Sequence, residues 1–307
     1  MNNEAKTKRL NVTKYILIAI EAFIAIGALY GGIMMLLDPS GKMLGMDNLL
    51  PYFMLLPFAD ILFKDYLFSG IMLIIVNGIT NIIAIIFLIM KKHQGFYLGA
   101  IFGLTLVLWI CIQFYMFPLN ALDIIFFSLG LIQLLIGITS IIFYKQTRFI
   151  FNENDYINIS QSSNTIVLYF SRMGYAKKLA YEIANQNNCQ IKELTVSEHT
   201  KNTSGFWWCG RYAMHEWQMN ITNCPDLNLY DKIIIVGQIW CFKISAPIRN
   251  LLIKNKDKFK NKSIELNLLH FNKTIPHNAI KEINSIVGTN TKINSYICKY
   301  GKYKKMA

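Results

Sequence analysis

Four long, predominantly apolar runs, at about 15–37, 66–90, 95–117 and 121–144, fill most of the first half of this chain. Each exceeds the ~20 residues that a helix needs to cross the hydrocarbon of a bilayer. A helix satisfies its own backbone hydrogen bonds, which lipid demands of any spanning segment. Residues 1–148 are therefore expected to form a four-helix transmembrane domain. The first run is too long for a signal peptide and lacks a small-residue cleavage site. Between the first two runs lies the loop 38–65, whose own apolar stretch, 49–58, is too short to span and is expected to be interfacial or re-entrant. Asp38-Pro39-Ser40-Gly41, with Gly45 and Met46, reads as a structured turn at the outer surface.

The basic residues orient these spans. Lys6, Lys8, Arg9 and Lys14 precede the first, Lys91 and Lys92 lie between the second and third, and Lys145 and Arg148 follow the fourth. The opposite loops hold Lys42 and Lys64 against Asp38, Asp47, Asp60, Asp65 and Asp123. Basic residues stay on the cytoplasmic side, so both termini and whatever follows the fourth span are expected to be cytoplasmic. Within the spans the one well-buried ionisable residue is Glu21. It either serves a proton or ion path or reaches the interface from near its helix start. Paired histidines for haem are missing, since His93 is the only histidine before residue 199.

Charge divides the chain at the same place. Residues 1–144 hold 8 Lys/Arg against 7 Asp/Glu, and residues 145–307 hold 23 against 11. The basic excess thus belongs to the second half. Nucleic-acid motifs are absent there, and anionic lipid headgroups are the nearer partner for a domain tethered beside a membrane. The six cysteines show no CxxC and no ligand-like pairing, which fits free thiols in a reducing compartment and no metal site. There is no P-loop and no hydrolase elbow.

Residues 149–163 read as a polar linker, rich in Asn and Ser. From 164 to 307 strands alternate with helices: strands near 165–170, 190–196, 232–237, 263–269 and 292–298, and helices near 175–187, 245–255 and 276–287, with an irregular, partly helical insert at 204–219. Such alternation predicts a parallel sheet with right-handed crossovers. The first strand, Thr165-Ile-Val-Leu-Tyr-Phe170, runs into Ser171-Arg172-Met173-Gly174-Tyr175-Ala176, a strand-to-helix turn whose amides suit an anion. The third, Lys232-Ile-Ile-Ile-Val-Gly237, runs into Gln238-Ile239-Trp240-Cys241-Phe242-Lys243-Ile244-Ser245-Ala246-Pro247.

These two loops resemble the flavodoxin-like family. Its phosphate loop, of the form T/S-x-T-G-N-T, is matched at Ser171 and Gly174, whereas Met173, Tyr175 and Ala176 depart from it; Arg172 adds a positive charge. Its second loop, of the form G-T-P-x-W-A-G-x-x-A-P-P, is matched at Gly237, Trp240, Ala246 and Pro247, and Phe242 stands where the family has glycine. The segment from Ser204 to Met214 is similar to the G-F/Y-x-x-x-G-x-x-A-L/M stretch of one branch. Its aromatics Phe206, Trp207 and Trp208 suit a flavin wall, a partner patch or a lipid-interface anchor. The third family loop departs most, since Leu269–His277 contains no glycine; His270 and His277 are expected to be exposed there.

The resemblance implies a five-stranded parallel sheet of order 2-1-3-4-5, with ligands at the carboxyl ends of the first and third strands. It implies FMN as cofactor, with Ser171, Arg172 and Gly174 at the phosphate, Trp240 on the ring, and Met173, Tyr175, Ala176, Gln238, Ile239, Cys241 and Phe242 lining the site. One-electron transfer follows, with a redox protein or a membrane quinone as partner and no acid–base dyad, because the cofactor carries the chemistry. The alternative is a flavodoxin fold that has lost its flavin and docks a partner at the membrane. The family's closing helix has no counterpart in 299–307. One face of the sheet is therefore expected to need a cover from the membrane half, a second copy of the chain or another partner.

Overall fold

The structure, a computed structural model, describes residues 3–288 and 291–306. The chain forms two compact units that divide between Arg148 and Phe149.

The first unit is helical. Helix α1 (Asn3–Leu37) is followed by the 3₁₀ turns Lys42–Leu44 and Asp47–Leu55, the short α2 (Ala59–Leu62), α3 (Leu67–Leu73), a π-helical turn (Ile74–Ile79), α4 (Thr80–Ile89), α5 (Gln94–Met116) and α6 (Ala121–Thr147). Four helical stretches are long and apolar enough to cross a membrane: Glu4–Leu37, Leu67–Ile89, Gln94–Met116 and Ala121–Thr147. Their burial is inverted relative to a water-soluble bundle. Apolar residues such as Ile26 and Leu135 are 69% and 61% exposed, while Glu21, Asn77, Asn81 and Gln133 are fully buried. An outer surface of this kind calls for an apolar surround. Glycines bring the backbones together, as small residues do between membrane helices. A Cβ at Gly103 would stand 2.6 Å from the Leu134 nitrogen, and one at Gly137 would stand 2.7 Å from that of Ala100, so α5 and α6 touch main chain to main chain.

The loop after α1 is tied to itself. The Asp38 carboxylate accepts from the Ser40 hydroxyl at 2.6 Å and from the Met43 amide at 2.8 Å, and Gly41 supplies a φ of +78°. These bonds, the hydroxyl's above all, hold the Asp38 carboxyl below its usual range. The stretch 49–58 falls largely in the 3₁₀ turn, where Phe53 is buried against Phe63, Phe117 and Tyr66.

The second unit is an α/β sheet. Its elements are β1 (Thr165–Tyr169), α7 (Tyr175–Asn187), β2 (Gln190–Glu193), α8 (Asn202–Met214), β3 (Lys232–Trp240), β4 (Lys243–Ile244), α9 (Ala246–Lys254), β5 (Ser263–His270), α10 (His277–Val287), β6 (Lys292–Lys299) and β7 (Lys302–Lys305). Strands β2-β1-β3-β5-β6 pair in parallel in that order. The expected sheet of five parallel strands is nevertheless too simple. β4 folds back antiparallel on β3 and β7 antiparallel on β6, which makes a mixed sheet of seven strands. The insert expected to be irregular holds an ordered helix, α8. The second strand is shorter than expected, and past it Val196 makes only an isolated bridge to Ile221.

Alternation along the strands sorts the core into two layers. Ile166, Leu168, Ile233, Ile235, Leu266 and Leu268 face α9 and α10 through Ile248, Leu251, Leu252, Ala279 and Ile283. Val167, Tyr169, Ile234 and Val236 face α7 through Leu179, Ala180 and Ile183. Burial of each such Leu or Ile stabilises by about 1.5–3 kcal/mol.

The second face is filled by polar side chains and by the stretch that precedes β1. Beyond α7 the sheet turns polar: Asn294 donates to Glu265 at 2.6 Å and to Asn267 at 3.0 Å, and Asn267 is fully buried. β7 adds Tyr303 to the edge of this layer. The stretch 149–163 packs on α7 instead of hanging free. Phe149 meets Tyr175 edge-on at 4.8 Å, Phe151 meets Tyr181 at 5.1 Å, and the Glu153 carboxylate accepts from both Lys177 and the Tyr181 hydroxyl. Lys177 above all holds the Glu153 carboxyl below its usual range.

Candidate functional site

The loops after β1 and β3 lie side by side because those strands are neighbours, paired from Thr165–Lys232 to Tyr169–Val236. β1 ends in a tight turn. Gly174 adopts φ +89°, in the left-handed region that glycine enters freely. Its amide donates to Ser171 Oγ at 3.0 Å, so the hydroxyl closes the turn on itself. α7 begins at the next residue, and the first-turn amides of Tyr175, Ala176 and Lys177 lack intrahelical acceptors, as at any helix start. Two of the three residues that depart from the resembled loop, Tyr175 and Ala176, turn their side chains inward. Ala176 is fully buried, and Tyr175 packs on Phe149. Burial pushes the Tyr175 hydroxyl up to about 12 and leaves it without a hydrogen-bond partner among the described residues. These two residues offer the site their main chain only.

Gln238 joins the two loops. Its Nε2 donates to the Phe170 carbonyl at 2.8 Å, while its buried Oε1 has no partner among the described residues. Past it, β3 continues to Trp240, then reverses through Cys241 and Phe242 into β4, with Ile239 opposite Ile244 and Trp240 opposite Lys243. Cys241 and Phe242 have φ of +47° and +65°. Two central residues at positive φ are the mark of the hairpin turn that normally takes Asn-Gly, so this turn holds strain that glycine would relieve. Trp240 is half-buried, edge-on to Phe170 at 5.8 Å, and packed into the core layer with Val196 and Tyr212. Ile239 is likewise half-buried in that layer. Gly237 is explained by packing, since a Cβ there would come 2.5 Å from Ile248 of α9.

α8 closes this end of the sheet. Phe206 lies under the Arg172 guanidinium at 5.1 Å, and a Cβ at Gly210 would touch Cys241 Sγ at 3.4 Å. The helix thus touches both loops. Phe206, Trp207 and Trp208 stay largely exposed, and Arg211 stacks over Trp207 at 5.2 Å. Cys209 points the other way into the core, where burial pushes its thiol up to about 11. A shallow open cleft of about 460 Å³ lies between the exposed Phe242 and the loop after β5, lined by Asn272, Thr274, Ile275, Pro276, His277 and Asn278. His277 is exposed there, as expected. His270 is not: it is 3% exposed, with Nδ1 against the Asn272 carbonyl at 3.0 Å and Nε2 against Ser295 Oγ at 2.7 Å. That pairing suits the neutral ring with its proton on Nδ1, and burial lowers the His270 pKa. The ring fixes a loop that has no glycine and does not reach the cleft.

Two site-forming residues escaped the sequence reading. Arg249, 2% exposed on α9, pairs its Nε with Glu282 of α10. Its other nitrogens reach the carbonyls of Ile244 at 3.1 Å, Trp217 at 3.3 Å, and Tyr212 and Ala213 at 3.4 Å. Glu282 also accepts from the Ile244 amide at 3.2 Å. One buried guanidinium therefore fastens the end of α8 and the β3–β4 hairpin to the scaffold. A signal existed in the sequence. Arg249 and Glu282 each fall on the apolar stripe of their helix, beside Leu252 and Ile283, where an unpaired charge is not tolerated.

No protein-family model and no curated protein matches the chain. Among solved structures, a flavoprotein in complex with FMN from Lactobacillus acidophilus NCFM is similar at a TM-score of 0.33 and 24% identity, covering 44% of this chain and 91% of that one. A candidate flavoprotein from Bacteroides eggerthii DSM 20697 is similar at a TM-score of 0.36 and 16% identity, covering 44% of this chain and 86% of that one.

Proposed function

We propose that this chain is a membrane-anchored flavodoxin-like protein that binds FMN and passes electrons at the cytoplasmic face. The observation that carries the reading is the joined pair of loops at the carboxyl ends of the two central parallel strands. There β1 leads into a helix start whose first-turn amides lack intrahelical acceptors, and its neighbour β3 carries a buried Gln238 oxygen without a partner among the described residues. In open parallel sheets this is where ligands bind.

The residues present fit the cofactor. The first-turn amides of α7 and the Arg172 charge suit a phosphate. Ser171 orders that turn by accepting from the Gly174 amide. The Gln238 oxygen suits a ring that carries an N–H, because a buried acceptor left unmade costs about 1–3 kcal/mol. Trp240 and Phe242, at the β3–β4 turn, would offer the ring apolar surface, and α8 touches both loops. When bound, FMN supplies the one-electron chemistry. The protein then needs only to hold it, orient it and leave an edge open to a redox protein or a membrane quinone. The inverted burial of the helical unit supports the anchor, and the basic residues that flank its spans support cytoplasmic termini.

One observation favours the second reading, a flavin-free docking module: Trp240 is packed into its own core layer instead of standing free. A single titration separates the two. FMN added to the full-length protein in detergent is expected to be retained after excess is removed, with flavin absorbance and quenched tryptophan fluorescence. Ser171→Ala, which loses about 1 kcal/mol of turn hydrogen bonding, is expected to weaken it about fivefold. A colourless protein that ignores FMN at high concentration refutes the flavin reading.

A further inference from the structure

Glu21 is fully enclosed in the helical unit, and neither carboxylate oxygen has a hydrogen-bond partner among the described residues. It rests against α5 at Gly99, where a Cβ would stand 2.5 Å from Glu21 Oε1, so the missing side chain is what admits the carboxylate. It belongs to a polar column. α1 and the π-turn–α4 segment run antiparallel, with Leu17 packed with Leu88 and Ala28 against Gly78. Stepping between these contacts at about 1.5 Å per residue places Glu21 level with Ala84, with Asn81 about one turn further along and Asn77 about two. Asn81 accepts from Gln133 Nε2 at 2.9 Å and donates to the Asn77 carbonyl at 2.8 Å. Gln133 Oε1 and both side-chain amide atoms of Asn77 have no partner among the described residues. All three residues are fully buried, and Asn77 lies in the π-turn, a distortion common at functional sites.

No charge faces Glu21 from the elements packed around it. The π-turn, α4 and α5 carry none; α6 carries Asp123 and Lys145 near its two ends; on α1 the nearest is Lys14, seven residues or about 10 Å away. The titratable groups towards that end of the unit are Tyr144 on α6, packed with the Leu17 cluster one turn from Glu21, and His93 and Tyr97, whose rings lie beside one another and, for His93, on Tyr144. One carboxylate without a second acid is neutralised by one proton, and among the described residues no group of three or more His, Cys, Asp or Glu gathers to hold a metal ion. An enclosed carboxylate with neither cation nor donor is strongly disfavoured.

We infer that Glu21 is an intramembrane proton-exchange site. In its resting state the carboxyl holds a proton. On exchange its O–H bond breaks, the proton passes to a water or buffer base of the aqueous phase, and a carboxylate remains at the end of the buried polar series formed by Gln133, Asn81 and Asn77. The inference rests on the spanning half of the reading above and is independent of flavin.

The test uses full-length protein in liposomes. Dicyclohexylcarbodiimide, which modifies protonated carboxyls in lipid, is followed by mass spectrometry of the Glu21 peptide, and the carboxylic carbonyl stretch is recorded by infrared difference spectroscopy against Glu21→Gln. Labelling and band are expected to fall together, about tenfold per pH unit above the midpoint, unchanged by Na⁺ or Ca²⁺ at fixed pH. Glu21→Asp keeps both and Glu21→Gln loses both; the Asp variant serves as control if the Gln variant does not fold. A band that never titrates, or labelling blocked by Na⁺ at fixed pH, overturns the inference. Alkaline carbonate extraction of the same liposomes separates the two failures. Protein released from the membrane sinks the spanning reading, whereas retained protein with an invariant carboxyl sinks this inference alone.

Discussion

Arg249→Met tests whether one buried guanidinium organises the site. The substitution removes the hydrogen bonds to the carbonyls of Tyr212, Ala213, Trp217 and Ile244 and leaves Glu282, with its side chain 12% exposed, facing a thioether. Removing one partner of a buried ion pair costs about 3–5 kcal/mol, because the other charge stays uncompensated. Against a total stability of about 5–15 kcal/mol, that is a large share. The double variant Arg249→Met/Glu282→Leu is expected to recover most of it, since an apolar pair of similar volume replaces the ion pair without the stranded charge. Urea unfolding of the full-length protein in detergent, followed by tryptophan fluorescence, measures the size of the loss. Hydrogen exchange measures its place, and faster exchange is expected in 202–217 and 240–245, with the amides of β1 and β5 unchanged. A loss under about 1 kcal/mol, or exchange in α8 that does not respond, refutes the strut.

Two further outcomes follow from the same geometry. Phe242→Gly relieves a left-handed φ of +65° and is expected to raise stability by about 1 kcal/mol, read as a higher unfolding midpoint; a lower midpoint means the phenyl contact in the cleft outweighs the strain. Burial lowers the His270 pKa in the folded chain, so as pH falls the unfolded chain takes up the proton first. The stability from this site is full above the usual histidine value of about 6.5 and is lost as pH drops through it towards the lowered folded value. The urea midpoint is expected to fall in that window and His270→Gln to flatten it; an unchanged slope in the variant places the titration elsewhere.

The fold was legible where the physics is periodic. Long apolar runs admit few alternatives in lipid, and strands such as Lys232-Ile-Ile-Ile-Val, buried on both faces, announce a central parallel position. What stayed illegible depended on neighbours distant in sequence. The two-residue turn at Cys241-Phe242 carries no Asn-Gly signal, so β4 passed for loop; its pairing is fixed by Ile244 closing on Ile239. The stretch 149–163 looked like a linker because its Asn and Ser outnumber its aromatics, yet Phe149, Phe151 and Tyr156 find partners on α7.

The site itself divides in the same way. Its main-chain part, Gly174 and the start of α7, is written in the local sequence because only glycine enters that turn freely. Its side-chain part is not. Trp240 matches the family position, but the space it fills is decided by Val196, Tyr212 and Cys209, which come from other segments. The same holds for His270. Its place in a polar loop suggested an exposed histidine, and the hydroxyl of Ser295 on the next strand makes it a buried brace instead. A charged residue on an apolar stripe is the exception that sequence can flag. Arg249 and Glu282 sit on the stripes of two helices on the same face of the sheet. Since neither charge is stable alone in such a position, the pattern itself demands that they meet.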